Sequence, residues 1–200
     1  MAVQQGYGRS IFFTFGKTAL EGGSSVSLLL WQFWTYSFAG YLLEKLFAVV
    51  THADRRTRRC FLLLPLCPVY GLAVLAVLAL PPYLTASFWG LAVWGGLAAT
   101  AVEYAVHLLY ERLLGVAFWD YTGVWGNLRG RICIPFSIAW GVLLAVLLPP
   151  IHGALLPVLA AIPAEVTYIC LLLFVADALY SARILYRTGD PEALHLLPAK

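Results

Sequence analysis

Charge is the property that this sequence has least of. Only 12% of its 200 residues are charged, whereas about a quarter of the residues in soluble domains are charged. Because 62% of the residues are hydrophobic and the mean hydropathy is +0.82, the composition indicates an integral membrane protein. Its polar stretches are all shorter than the roughly 50 residues of the smallest soluble domains, so no separate catalytic domain is expected.

Several motifs are missing as well. No Gly-x4-Gly-Lys-Ser/Thr phosphate loop occurs, so any ATP that the protein uses has to be bound by another chain. No basic helix or tail is long enough to bind nucleic acid, and no nucleic-acid partner is expected. The four cysteines lack Cys-x-x-Cys spacing, which favours buried or lipid-facing thiols over a metal site or a disulfide. No metal and no cofactor are predicted.

Apolar runs separated by short polar loops predict an all-α, polytopic membrane helix bundle with about five transmembrane helices. A helix needs about 20 apolar residues to cross the membrane, and prolines mark where several runs begin or end. Pro149 and Pro150 are expected to end the fourth span, which makes residues 151–163 a broken or re-entrant segment before the last span. The predicted spans are residues 28–50, 61–80, 88–114, 132–148 and 164–186.

The basic residues predict the orientation of the chain, because loops that stay in the cytoplasm carry Lys and Arg. Ten of them follow the first, third and fifth spans, including the run Arg55–Arg59, and only two precede the first span. The amino terminus is therefore predicted outside a bacterial-type plasma membrane and the carboxyl terminus in the cytoplasm. The expected domains are an amino-terminal extramembrane or interfacial segment without a cleavable signal (1–26), a transmembrane domain (27–187) and a cytoplasmic tail (188–200).

Ionisable residues inside the predicted spans are the first candidates for a functional site, because such groups are costly in lipid. Glu103, His107 and Glu111 are spaced four apart on one helical face. Glu44 and Asp177 lie in the same predicted half of the membrane. These five residues are expected to line a polar, substrate-binding cavity or to pair with arginines. The alternative is that they neutralise one another and fasten the bundle.

The loop that follows the third span supplies the second group of candidates. Gly130 allows a tight turn between Arg129 and Arg131, and guanidinium groups suit phosphate or carboxylate partners. Anchoring at the membrane boundary is the alternative for these arginines. Asp120 and Asn127 belong to the same loop and complete the predicted loop site.

The order of these residues resembles a known family, the ABC-transporter permeases of type IV, CmpB-like. The resemblance covers residues 34–141, and the Trp-Asp-Tyr…Asn…Gly-Arg block of the loop is its most specific part. The matching motifs are Tyr36-Ser37-x2-Gly40-x3-Glu44, Pro65-x2-Pro68-Val69-Tyr70-Gly71, Glu103-Tyr104-x6-Glu111, Trp119-Asp120-Tyr121-x5-Asn127-x2-Gly130-Arg131-Ile132 and Trp140-Gly141.

The resemblance implies a multi-pass membrane protein that forms the membrane part of a transporter. The first hypothesis is therefore a permease-like subunit with a cytoplasm-facing polar cavity, working with an ATPase or a second membrane subunit, or as a homo-oligomer. The second is an intramembrane enzyme or lipid-headgroup-binding protein, in which carboxylates act as general base and arginines hold phosphate. The third is a structural or accessory membrane protein. Membrane lipids are partners in all three.

Overall fold

Helices joined by short irregular connections make up most of the chain, as predicted. The computed structural model describes residues 22–51 and 60–194, so the basic run at 55–59 and most of the segment 1–26 lie outside the described residues. In chain order the elements are α1 (Gly22–Val50), α2 (Pro68–Leu78), α3 (Pro82–Thr85), α4 (Phe88–Leu114), β1 (Asn127–Leu128), β2 (Ile132–Cys133), α5 (Ile134–Ala160), α6 (Ala164–Thr188) and a 3-10 turn (Pro191–Leu194).

Within the described residues, three helices are long and apolar enough to cross a membrane, namely α4, α5 and α6. The predicted count of about five spans is therefore not confirmed. α1 has the length, at 29 residues, but its polar side chains, including Glu44 and Lys45, make it less apolar. α4 and α6 both end at a glycine with positive φ, Gly115 and Gly189, because glycine has no Cβ that opposes this conformation.

The predicted second span, residues 61–80, is helical only over the 11 residues of α2. That is about 16 Å of helix, roughly half of a hydrocarbon core of about 30 Å. Proline is favoured in the first turn of a helix, where its missing N–H costs nothing, so the helix begins at Pro68. Residues 60–67 before it are irregular, as the prolines of this stretch predict.

The expected break before the last span is wrong. α5 runs without interruption from Ile134 to Ala160, through Pro149, Pro150 and Pro157. Each proline removes one backbone hydrogen bond but keeps φ close to the helical value. Membrane helices tolerate this loss because local adjustments and neighbouring groups satisfy the freed carbonyls. The chain turns only at residues 161–163, so residues 151–160 of the expected broken segment form the last third of a helix that is long and apolar enough to cross a membrane.

Small residues bring α4 and α5 together. A Cβ atom added at Gly96 would lie 3.0 Å from the Cα atom of Gly141, so the two backbones are nearly in contact. A π-helical turn at Leu91–Gly95 opens α4 beside this contact. Such close approach between membrane helices requires small residues such as glycine or alanine. The contact fixes two walls of the cavity described below.

Candidate functional site

A cavity of about 240 Å³ lies among α1, α2, α4 and α5. Alanine, valine, leucine and aromatic side chains make up most of its wall. On α5 the lining positions run from Trp140 to Leu155, which is about 22 Å of helix. The cavity is therefore elongated along the helices. It is mainly apolar, and its carboxylates are confined to the end near the loop 115–131, called here the loop end.

Two carboxylates line the loop end, and each accepts a hydrogen bond from a tyrosine. The Tyr70 hydroxyl donates to Glu44 Oε1 at 2.6 Å, and the Tyr121 hydroxyl donates to Glu103 Oε1 at 2.9 Å. The Glu44 and Glu103 carboxylates are also close enough to interact electrostatically. Burial, and then the charge and hydrogen bond of Glu103, raises the pKa of Tyr121, so its hydroxyl remains a proton donor.

Glu103 is a buried carboxylate of the cavity with unmet hydrogen-bonding capacity. Its side chain is only 7% exposed, and Oε2 makes no hydrogen bond to any described residue. The Trp140 side chain lies beside the same carboxylate and interacts with it. A buried carboxylate oxygen without a donor is costly. Since Glu103 lines the cavity, this oxygen is presented to whatever occupies it.

The loop 115–131 positions Tyr121 by folding on itself. Asp120 accepts from the backbone N–H of Thr122 at 2.9 Å and from its hydroxyl at 3.0 Å. The Asn127 side chain donates to two loop carbonyls and accepts from the N–H of Gly130. The strands β1 and β2 then pair antiparallel across the turn. Asp120 and Asn127 thus hold the loop in shape and place no group in the cavity.

Gly130 is required by the geometry of this turn. Its φ is +69°, and a Cβ atom at this position would collide with the carboxylate of Asp120. Arg129 beside it also has positive φ, at 55°. The predicted tight turn between the two arginines is therefore present. It points the two side chains to different surroundings, since Arg129 is exposed and Arg131 is only 9% exposed.

Arg131 fastens the loop to α4. Its Nε and Nη2 atoms both donate to Glu111 Oε2, at 3.0 and 2.6 Å. Its Nη1 donates to the Tyr104 hydroxyl at 3.3 Å. The hydrogen bonds that Arg131 donates to Glu111 raise the pKa of Arg131, so the guanidinium stays charged. Trp119 adds a second link, because its indole N–H donates to the carbonyl of Arg131 at 2.9 Å.

His107 belongs to the same junction between the loop and α4. Its Nε2–H donates to the backbone carbonyl of Trp119 at 3.0 Å, and its Nδ1 lies 3.9 Å from Glu111 Oε2. The predicted residues on α4 therefore divide between two places. Glu103 lines the cavity, whereas His107 and Glu111 hold the loop.

Asp177 lies away from the cavity. Its carboxylate accepts from the backbone N–H groups of Leu63 and Leu64, at 3.2 and 3.0 Å, and lies 3.4 Å from the Ser181 hydroxyl. Residues 60–67 have no helical ladder, so the Asp177 carboxylate satisfies donors that a helix would satisfy itself. Among the predicted cavity residues, only Glu44 and Glu103 meet in the cavity.

The sequence interpretation missed the aromatic partners of the site. Tyr70 and Tyr121 enter the sequence analysis only as members of the family motifs, although their hydroxyl groups donate to the two cavity carboxylates. At the other end of the cavity, the Tyr36 hydroxyl lies 3.0 Å from Nδ1 of His152, which is 1% exposed. His152 had been assigned to the expected broken segment. The only available signal was a polar residue inside a hydrophobic run, which does not reveal its partner.

The cysteines form no disulfide in the described chain. Cys60, Cys67 and Cys133 are buried, and Cys170 is partly exposed. No group of three or more His, Cys, Asp or Glu side chains among the described residues is arranged to hold a metal ion.

Three helices that are long and apolar enough to cross a membrane define a class, the polytopic helical membrane proteins. A family model described as "Putative ABC-transporter type IV" matches residues 31–182, which is most of the chain. The protein belongs to this family, and is thus related to membrane transporters. No curated protein and no solved structure matches it.

Proposed function

We propose that this chain is a permease-like membrane subunit that holds a hydrophobic molecule in the cavity among α1, α2, α4 and α5. One observation carries the proposal, namely an elongated apolar cavity with carboxylates at its loop end. Ligand sites are typically apolar concavities with a few placed polar groups. The family supports transport as the purpose of such a site.

The alternative of an intramembrane enzyme that grips phosphate with an arginine pair receives less support. Arg131 directs its donors at Glu111 and Tyr104, and Arg129 is exposed. A purely structural role for the carboxylates accounts for Glu111 and Asp177. It does not account for Glu103, which has a buried oxygen without a donor in the described chain.

Photoaffinity labelling tests the proposed cavity. The full chain is placed in nanodiscs of zwitterionic lipid and irradiated with an uncharged decanol that carries a diazirine on its chain. Labelled positions are then found by mass spectrometry. We expect saturable labelling of the α5 positions that line the cavity, and loss of that labelling when unlabelled decanol is added in excess. These positions are Trp140, Leu143, Leu144, Leu147, Leu148, Ile151 and Leu155.

Two alanine-to-tryptophan variants provide the control. Ala73 lines the cavity from α2, so Ala73→Trp fills it and should abolish the labelling. Ala176 is exposed on α6, so Ala176→Trp adds the same side chain outside the cavity and should leave the labelling intact. Equal labelling of both variants, or labelling confined to lipid-facing positions, would contradict the proposal.

The energy source is part of the same proposal. Because the sequence has no phosphate loop, we propose that a partner ATPase, or a second membrane subunit that recruits one, completes the transporter. Purification from native membranes should yield such an ATPase, with decanol changing its ATP turnover for the wild-type complex but not for Ala73→Trp. If the chain purifies without a partner and still binds decanol, the result would argue against a role in transport.

The orientation also remains a proposal, based on the distribution of basic residues. The loop end, with Arg129 and Arg131, is then the cytoplasmic side, and the carboxyl terminus lies there too. When fused after Lys200, a reporter that works only in the cytoplasm should be active, and one that works only in the periplasm should be inactive. Activity of a periplasmic reporter at that position would reverse the assignment.

A further inference from the structure

We propose that the cavity binds a single-chain, membrane-dissolved amphiphile with a protonated amine head, which enters sideways from the lipid. The inference rests on the proposed function and adds the class of the substrate. Three features of the described structure carry it: where the cavity opens, how its polar and apolar ends are ordered along the membrane normal, and which hydrogen-bonding groups it presents.

The cavity opens between α1 and α5. Ala39, Leu147 and Ile151 line it and are also exposed on the outer surface, so the wall has a gap at these positions. Leu147 is the central residue of α5, a helix that is apolar enough to span the membrane. The gap therefore lies near the middle of the hydrocarbon layer. A molecule entering here comes from the acyl-chain region and not from water.

The polar and apolar parts of the cavity follow the same order along the membrane normal as the head and the chain of a lipid. Trp140, which lies beside the Glu103 carboxylate, is seven residues before Leu147 on α5, which is about 10 Å of helix. The carboxylates are thus displaced from the gap towards the loop end, where headgroups lie. An amphiphile can place its head at Glu103 while its chain follows the apolar wall and leaves through the gap.

The head has to be a hydrogen-bond donor. The hydroxyl protons of Tyr70 and Tyr121 are already donated to carboxylates. The buried Oε2 of Glu103 accepts no hydrogen bond of good geometry from the described residues, and only the Trp140 side chain interacts with this carboxylate besides Tyr121 and Glu44. No lysine or arginine of the described chain lines the cavity. An anionic head would meet carboxylates without a counter-charge, whereas an amine would donate to Oε2 and offset the negative charge.

The far end of the cavity does not require a hydrogen-bond donor from the ligand. Tyr36 lines it, and its hydroxyl is hydrogen-bonded to His152. Apart from Thr35, the remaining lining at that end is aliphatic, from residues such as Leu148 and Leu155. This part of the wall is mainly apolar and suits a hydrocarbon chain.

Competition against the photoreactive decanol tests the head group. Decylamine, decanol and decyl sulfate share the chain and differ only in the head. Each is compared at equal concentration in the bilayer, which is determined with empty nanodiscs. For the wild-type chain we expect decylamine to displace the label at least about tenfold more effectively than decanol, a factor that corresponds to about 1.4 kcal/mol, and decyl sulfate to be the weakest.

The variant Glu103→Gln keeps the size and the acceptor for Tyr121 but removes the charge. We expect the preference for decylamine over decanol, taken as the ratio of their competition within this variant, to fall from about tenfold to near one. Glu165→Gln is the matched control, because Glu165 is exposed at the start of α6, and it should keep the preference.

The outcomes separate the two proposals. Equal competition by all three compounds, a preference for the sulfate, or an unchanged amine preference in Glu103→Gln would overturn the amine assignment while leaving the cavity as a binding site. Absence of saturable labelling in the wild-type chain would instead remove the proposed function. If Glu103→Gln does not fold, the wild-type competition series alone decides between amine and other heads.

Discussion

Replacing Gly40 with alanine should disturb the site through packing alone. Gly40 lies on α1 directly against Tyr70, and an added Cβ atom would overlap the Cγ, Cδ2 and Cβ atoms of that tyrosine. Because the Tyr70 Cβ atom is fixed to the backbone of α2, rotation of the ring cannot relieve the whole overlap. Either α2 moves away from α1, or the ring turns and its hydroxyl loses Glu44.

The expected cost follows from two opposing effects. Overpacking of a well-packed interface typically costs about 1–3 kcal/mol. Alanine in place of glycine within a helix contributes about 0.5–1 kcal/mol in the opposite direction. The net loss is therefore about 0–2.5 kcal/mol, with a midpoint of ~1 kcal/mol. For a chain of this size, the midpoint lowers the melting temperature by roughly 2–4 °C.

Thermal unfolding of the full chain in detergent measures the effect, with Gly153→Ala as the matched control. Gly153 is also inside a helix, α5, but a Cβ atom there would meet nothing within 4 Å. Gly153→Ala should therefore be neutral or slightly stabilising. If Gly40→Ala melts at the same temperature as Gly153→Ala, the close contact between α1 and α2 described here is incorrect.

Three further predictions concern the polar contacts around the site. Arg131→Lys should increase proteolysis of the loop 115–131 in a limited-digestion assay, because lysine cannot bond Glu111 with two nitrogens, whereas Arg129→Lys should match wild type. Asp177→Asn should expose residues 60–67, measured as faster maleimide labelling of the buried Cys60; labelling at the wild-type rate would refute its role. Gly130→Ala should cost at least about 1–2 kcal/mol, the typical penalty for a left-handed residue, and an unchanged melting temperature would contradict the turn geometry.

The sequence was sufficient to predict α4 and α6, two of the three helices that are long and apolar enough to cross a membrane. The bounds of α4 match the prediction because a mainly apolar run ends at Gly115, and α6 begins where Pro163 stops the preceding chain. Both limits depend on local backbone preferences, which are visible in one sequence. The number of spans was harder to predict. In residues 61–80 the prolines indicate an irregular start, but they do not show that the helix is limited to the 11 residues of α2.

The prolines show why local rules fail inside a membrane bundle. Pro149 and Pro150 would end most helices in water, where an interrupted helix can satisfy its free carbonyls with solvent. In lipid an irregular break exposes several backbone groups, so continuing α5 with two missing hydrogen bonds is the less costly outcome. The prediction of a re-entrant segment failed because it applied the aqueous rule to a span.

The candidate site was predicted in part, and the geometry of α4 explains the remainder. A spacing of four residues keeps side chains near one face, but each step also turns them about 40° around a helix of 3.6 residues per turn. From Glu103 to Glu111 the direction changes by about 80° over about 12 Å. Glu103 can therefore face the cavity while Glu111 faces the loop and Arg131. The row of ionisable residues thus divides between lining the cavity and holding the loop. Only the packing of α1, α5 and the loop around α4 decides which residue takes which of these two roles.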